Sequence, residues 1–304
     1  MTQFGYRTLG FGSGGRPPRA DYTIDILVVA GGGCGGIDYA GGGGAGGLIY
    51  KTTHTLTGYT TYDAVIGAGG AGCDSALVAG DSGIDTTWTI NGGATEFTAK
   101  GGGGGSSDDA AATDGGSGGG ASKDHTSGAS ETQTGQSGDS GTYGFGNDGG
   151  AASHAPYYTA GGGGGAGAQG GNNDGYNGGV GGAGKDYSAV FANEGVSGWF
   201  AGGAGGAAYH TGTPGAGGAG GGTAATPNGS ATGSTAGTAN TGGASGAAGT
   251  SNTGDPKVGA GGSGVICFKV LTANYSGETT GSPNERTVGD YTIVEFTGSG
   301  SYTA

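Results

Sequence analysis

Large apolar side chains are scarce: leucine, isoleucine, valine and phenylalanine supply only 35 of 304 residues. An ordinary apolar core for a chain of this length cannot be assembled from that stock, and so low a share usually marks disorder. Proline is also rare, with seven residues, and glycine never keeps every third position, which together exclude collagen. The three cysteines, Cys34, Cys73 and Cys267, form no closely spaced pairs. Neither a disulfide framework nor a zinc site is therefore expected, only small buried thiols. The chain has no secretory h-region and no apolar run of the ~18 residues a membrane span needs. Membrane insertion is not expected, and any exit from a cell is expected to go through lysis or assembly.

Positive charge is short as well. Lysine and arginine total 10 against 23 aspartates and glutamates, for a net charge of −13. That balance argues against a nucleic-acid partner. The first twenty residues run the other way, with Arg7, Arg16 and Arg19 and no acid. A basic arm on an acidic body suits docking on an acidic partner, or is simply a solvated end.

What the chain has instead is glycine: 87 residues, blocked at 41–44, 101–105, 161–165 and 220–222. Glycine loses more backbone freedom on folding than any other residue. So much of it either stays disordered as a spacer or orders because the missing side chain is useful. The favoured ordered form is a bundle of polyglycine II helices. These keep the extended three-residue turn of polyproline II, but their N–H groups are free to bond sideways to neighbouring helices. Backbone donors and acceptors then pair without an apolar core.

Residues 1–21 read as an aromatic, glycine-spaced arm, with Phe4, Tyr6, Arg7 and Phe11 as candidate assembly contacts. Residues 22–30 alternate and then turn continuously apolar, which predicts a strand buried on both faces at its end. Further strands are expected at 48–56 and 59–66, and a hairpin at 84–99 around Asn91-Gly92. Residues 101–263 are expected to be the glycine-rich region, and strands return at 264–271 and 291–296. No helical periodicity of useful length is present. The expected fold is mainly β with polyglycine II helices and essentially no α-helix. A small β-sandwich or sheet built from both chain ends (22–100 and 264–304) would clamp the rod bundle.

Catalytic signals are weak. Gly67, Gly69 and Gly72 match a G-x-G-x-x-G spacing after a strand, but no helix follows to bind a phosphate. Residues 181–186 resemble a single calcium β-roll repeat, which needs tandem copies. His54, His125, His154 and His210 lack metal-binding spacing. No enzyme activity, cofactor or metal is expected. The stronger signal is aromatic, with Tyr143, Phe145, Tyr157, Tyr158, Tyr176, Trp199, Phe200, Tyr209 and His210 standing as islands in polar, glycine-rich sequence. In bends between rods such rings would contact a receptor at low entropic cost, or would lie on the rods as lids.

The segments ILVVAGGG at 26–33, VIGAGGAG at 65–72 and GGSGVICFK at 261–269, with the repeated GGAGG blocks, resemble the glycine-rich domain of bacteriophage tail-fibre and other virion proteins. The resemblance covers about residues 22–271. It implies a structural or host-attachment role in the virion. The implied partners are other virion proteins, copies of the same chain and a host cell-surface receptor. In that family a strand like F-T-x-S-G-x-F-T-V precedes the opening strand, whereas here its likeness, 296–304, follows the closing one. Either the chain is permuted and this strand returns to its own sheet, or it pairs with the next subunit. The second case would give an extracellular filament, with Tyr291, Ile293, Phe296 and Tyr302 as candidate assembly residues.

Overall fold

The computed structural model describes residues 19–74, 78–133, 144–154, 158–208, 211–227, 233–249 and 257–304. The N-terminal part supplies strands β1 (Tyr22–Val29), β2 (Leu48–Leu56) and β3 (Thr61–Val65), then a hairpin of β4 (Thr86–Ile90) and β5 (Thr95–Ala99). The hairpin turns where expected, with Gly92 at φ 70°. The glycine-rich region carries β6 (Gly144–Phe145), β7 (Lys185–Asp186), the single-turn helix α1 (Ser188–Phe191) and β8 (Trp199–Phe200). After it come β9 (Val265–Leu271), β10 (Thr279–Thr280), β11 (Asn284–Val288), β12 (Tyr291–Phe296) and β13 (Gly300–Thr303). The chain is mainly β, with essentially no α-helix.

One antiparallel sheet runs β11-β12-β9-β1-β2-β6, a second runs β10-β13-β3-β4-β5, and β7 pairs with β8. The two large sheets share one apolar core. Alternate residues of a strand face opposite ways, so Ile24, Ile26 and Val28 of β1 meet Tyr62, Trp88 and Phe97 of the second sheet. Trp88 stacks on Tyr62 at 5.4 Å and meets Phe268 of the first sheet edge-on at 6.0 Å. The intervening β1 residues, Leu27 and Val29, face a second cluster with Phe191, Phe200 and Ala201. The turn-and-hairpin unit 185–200 thus covers the outer side of the first sheet. Arg286 of β11 ties it down, donating to both carboxylate oxygens of Glu194 at 2.8 and 3.2 Å.

The C-terminal segment returns to its own sheets. β12 lies beside β9, and β13 beside β3. Phe296 and Tyr302 are fully buried and Ile293 nearly so. Their expected place on an assembly surface is therefore corrected: Phe296 and Tyr302 belong to the core between the sheets, and Ile293 to the cluster under the 185–200 unit. Tyr291 remains at the surface, 40% exposed. Phe4, Tyr6, Arg7 and Phe11 lie outside the described residues.

The glycine segments bond sideways with a repeat of three. Ala30, Gly33 and Gly36 donate to the carbonyls of Gly47, Gly44 and Gly41, while Gly31 and Cys34 donate to those of Ile84 and Asp81. In the next segment Gly41, Gly44 and Gly47 donate to Ser106, Gly103 and Lys100. Gly42 and Ala45 donate to Gly161 and Gly164, and Gly43 and Gly46 to Ser245 and Gly242. Three further segments donate back, through Gly33 to Gly44, Gly120 to Gly42 and Ala204 to Gly43. Segment 41–47 is thus ringed by other extended segments, and all of its N–H groups are bonded without a sheet or helix ladder. The same three-residue order recurs in 160–166, where Ala160, Gly163 and Ala166 donate to Ala207, Ala204 and Ala201.

These rods are not confined to 101–263, as the composition suggested. Residues 30–47, 67–73 and 80–85 also belong to the bundle, because β1 and β3 each run straight into a rod and 80–85 runs straight into β4. The bonding pattern makes the rods run up from the sheets and back down. Segments 30–36, 67–73, 101–106, 117–121, 202–207 and 242–248 lead away from the sheets, and bends at 37–40, 107–112 and 122–127 follow the first, third and fourth of them at the far end. Among the described residues no helix is long and apolar enough to cross a membrane.

Candidate binding surface at the far end of the rods

Three far-end bends, at 37–40, 107–112 and 122–127, together with residues 152–154 and 158–159, bring together side chains distant in sequence. Lys123 bonds the carboxylates of Asp108 and Asp124, the latter at 2.9 Å. His154 Nε2 sits 3.0 Å from the other oxygen of Asp124. The ring of Tyr158 meets His154 edge-on at 5.5 Å and tilts against Tyr39 at 6.2 Å. Lys123 Nζ lies 5.5 Å from the centre of the Tyr39 ring. The result is a patch of two phenols, an imidazole and several carboxylates around one ammonium.

Local backbone geometry sets this patch. Asp38, Tyr39 and Tyr158 have φ of 70°, 46° and 45°, the left-handed region that side chains other than asparagine or aspartate rarely adopt. In the tight bend 37–40, Ile37 is driven into the bundle, Tyr39 is half-buried, and Asp38 is half-buried with its Oδ1 shut off from solvent. Burial, reinforced by repulsion from Asp108, raises the Asp38 pKa above the usual carboxylate value, against the pull of Lys123. Burial opposes the charge on Lys123, but its bonds to Asp108 and Asp124 outweigh that and raise its pKa. The bond from Lys123 in turn holds the Asp124 carboxyl below its ordinary range. Rings beside ionised acceptors suit a polar, hydroxyl-bearing or cationic surface.

The aromatic islands separate into groups. Tyr158 is in the patch, and Tyr176, 56% exposed, caps another far-end bend that turns at Gly175 with φ 69°. Phe145 and Trp199 lie at the opposite end, by the sheets. Lys185 Nζ stands 3.6 Å over the Phe145 ring, and burial lowers the Lys185 pKa. Phe200 is fully buried under β1 and is corrected from a contact residue to a core residue. Tyr143, Tyr157, Tyr209 and His210 lie outside the described residues. Sequence reasoning passed over Tyr39, Asp38 and Lys123. Tyr39 is itself a ring between glycine blocks, but it falls in 22–100, the N-terminal β region, outside the glycine-rich stretch that marks the other ring islands.

Among the described residues no group of three or more metal-ligating side chains is placed to hold an ion. Segment 67–73, with its G-x-G-x-x-G spacing, is a rod bonded to Gly32 and Gly261, not a strand-to-helix turn. A family model described as a glycine-rich domain matches residues 14–271. No curated protein matches the chain.

Proposed function

Since the chain belongs to the glycine-rich domain family, we propose that it is a non-enzymatic structural protein of a bacteriophage virion, in the tail-fibre or host-attachment apparatus. In this reading the rods are polyglycine II helices, a stiff mount standing on the β-sandwich. The far-end patch around Tyr39, Tyr158 and His154 contacts a host cell-surface receptor. One observation carries the reading: the far-end bends bring Tyr39, Tyr158, His154, Lys123 and Asp124 together in one patch away from the sheets. A rod bundle that served only as a spacer would have no use for left-handed tyrosines there, since such backbone strain costs on the order of 1–3 kcal/mol per residue.

The test is competition. Purified full-length protein should coat susceptible cells and protect them from infection. Tyr39→Asn with Tyr158→Asn, residues that accept positive φ, should abolish protection without lowering the melting temperature. A well-folded protein that neither adsorbs nor protects would overturn the attachment role. Long polymers of the pure chain in electron micrographs would favour a filament assembled through the N-terminal arm. Deleting residues 287–304 is not a usable probe of strand exchange, because it would strip β12 and β13 from both large sheets.

A further inference from the structure

Cys34 and Cys73 are 39 residues apart in sequence, yet the bundle sets them side by side. Cys34 is near the far end of the first rod, and its N–H donates to Asp81 at 2.9 Å. Cys73 ends the rod that follows β3, its carbonyl held by Val258 N–H at 2.9 Å. Cys73 packs directly against the buried cluster that contains Cys34. Cys34 Sγ also accepts from the Asp81 N–H at 2.9 Å, and Cys73 Sγ lies 3.4 Å from the Gly35 carbonyl oxygen. Ile37, Ala248 and Val258 close the site on the remaining sides. Cys34 is buried and Cys73 is partly exposed. Cys267, by contrast, is buried in the large sheet.

We propose that Cys34 and Cys73 are a redox-active dithiol that small disulfides of the glutathione class convert to an intramolecular disulfide. The crosslink would fasten two neighbouring rods beneath the bend that carries Asp38 and Tyr39. The proposal stands whether or not the protein belongs to a virion. Chemically, the thiolate of Cys73 attacks one sulfur of the oxidant, forming a mixed disulfide and releasing one glutathione thiolate. Cys34 then attacks the Cys73 sulfur of the mixed disulfide, and the second glutathione leaves. The two thiol protons end on the two released glutathiones, so two protein thiols are oxidised and one glutathione disulfide is reduced. Exposure assigns the order, since only Cys73 is open to an incoming reagent. The interaction between the two neighbouring thiols points the same way, drawing the Cys73 thiol below its ordinary pKa and raising that of Cys34.

The test treats the folded full chain with glutathione disulfide, alkylates remaining thiols and maps the peptides by mass spectrometry. The expected product is lighter than the reduced protein by two hydrogens and carries a Cys34–Cys73 linked peptide. Cys267 should be alkylated only after denaturation. The oxidised form should melt several degrees higher, and dithiothreitol should reverse the shift. Cys34→Ser should stop at a glutathione adduct on Cys73. Three results in the wild type would overturn the proposal: both thiols still free, a stable adduct at Cys73, or a crosslink involving Cys267. Because the wild-type map decides the matter, a poorly folded variant would not blur the result.

Discussion

A β-carbon on Gly163 would stand 1.9 Å from the carbonyl oxygen of Gly43, on a rod more than a hundred residues away in sequence. Neither backbone can retreat, because Gly163 donates to Ala204 at 2.8 Å and Gly43 to Ser245 at 3.2 Å. Gly163→Ala is therefore expected to cost about 3 kcal/mol or more, by the overpacking rule, and Gly163→Val still more. Gly298, where an added β-carbon meets nothing within 4 Å, is the control. Scanning calorimetry should show Gly163→Ala melting on the order of 6–10 °C lower, with Gly298→Ala unchanged. Equal melting points for both variants would mean the rods do not touch as described.

The hydroxyls of Tyr22 and Tyr302, which join the first strand to the last, are 2.5 Å apart in the core. Each phenol satisfies the other where water is excluded, and burial with this bond raises the Tyr22 pKa. Tyr302→Phe should cost about 1–3 kcal/mol because it leaves a buried hydroxyl unpaired. Tyr22→Phe should cost less, because the Tyr302 hydroxyl still accepts from the Ser276 N–H at 3.4 Å. The double variant should cost less than the two single losses combined, since the Tyr22 hydroxyl is no longer left without its partner. Chemical denaturation of the four proteins checks this, and strict additivity would show the bond to be energetically idle.

Some of this architecture was legible beforehand and some could not be. Residues 22–29 announced a strand covered on both sides because their pattern shifts from alternating to continuous, and Asn91-Gly92 announced its hairpin through the one conformation both residues accept. β11 was silent: as an edge strand it needs no apolar face, and its residues Asn284, Glu285 and Thr287 stay exposed. The route of the rods was silent too, since glycine has no side chain to encode a partner. What makes Gly42 pair with Gly161 is the path of the chain through the surrounding strands and bends, a property of the whole fold. Isolated rings gave no periodicity either, so Phe200 in the core and Tyr176 on the surface looked the same.

Asp38 offers a pH test of the far-end bend. Its carboxyl has a raised folded-state pKa, mainly through burial. A raised carboxyl pKa means the folded protein holds this proton more tightly than the unfolded chain does. The associated stability is present below the ordinary carboxylate range and is lost as pH rises through the raised value. Asp38→Asn keeps the shape, tolerates φ of 70° and removes the charge. It should raise the melting temperature at pH 7, with the gain shrinking toward pH 3. A variant less stable than wild type at neutral pH would mean that Lys123 compensates the buried charge fully.

Amide exchange tests the rod bundle as a whole. Every N–H from Gly41 to Gly47 donates to a carbonyl on another segment, at 2.7 to 3.2 Å. None can open without separating rods that are themselves pinned by others, so these amides should exchange only through global unfolding. Residues 160–166 should show the same protection, although their sequence, AGGGGGA, would exchange within seconds as a free peptide. Exposed bend residues such as Asp109, Tyr176 and Thr211 should exchange far faster. Hydrogen–deuterium exchange followed by peptide mass spectrometry reads all three regions in one experiment. Rapid exchange in 41–47 alongside slow exchange in β1 and β9 would show a folded sandwich carrying a loose glycine region, and the bundle would have to be abandoned.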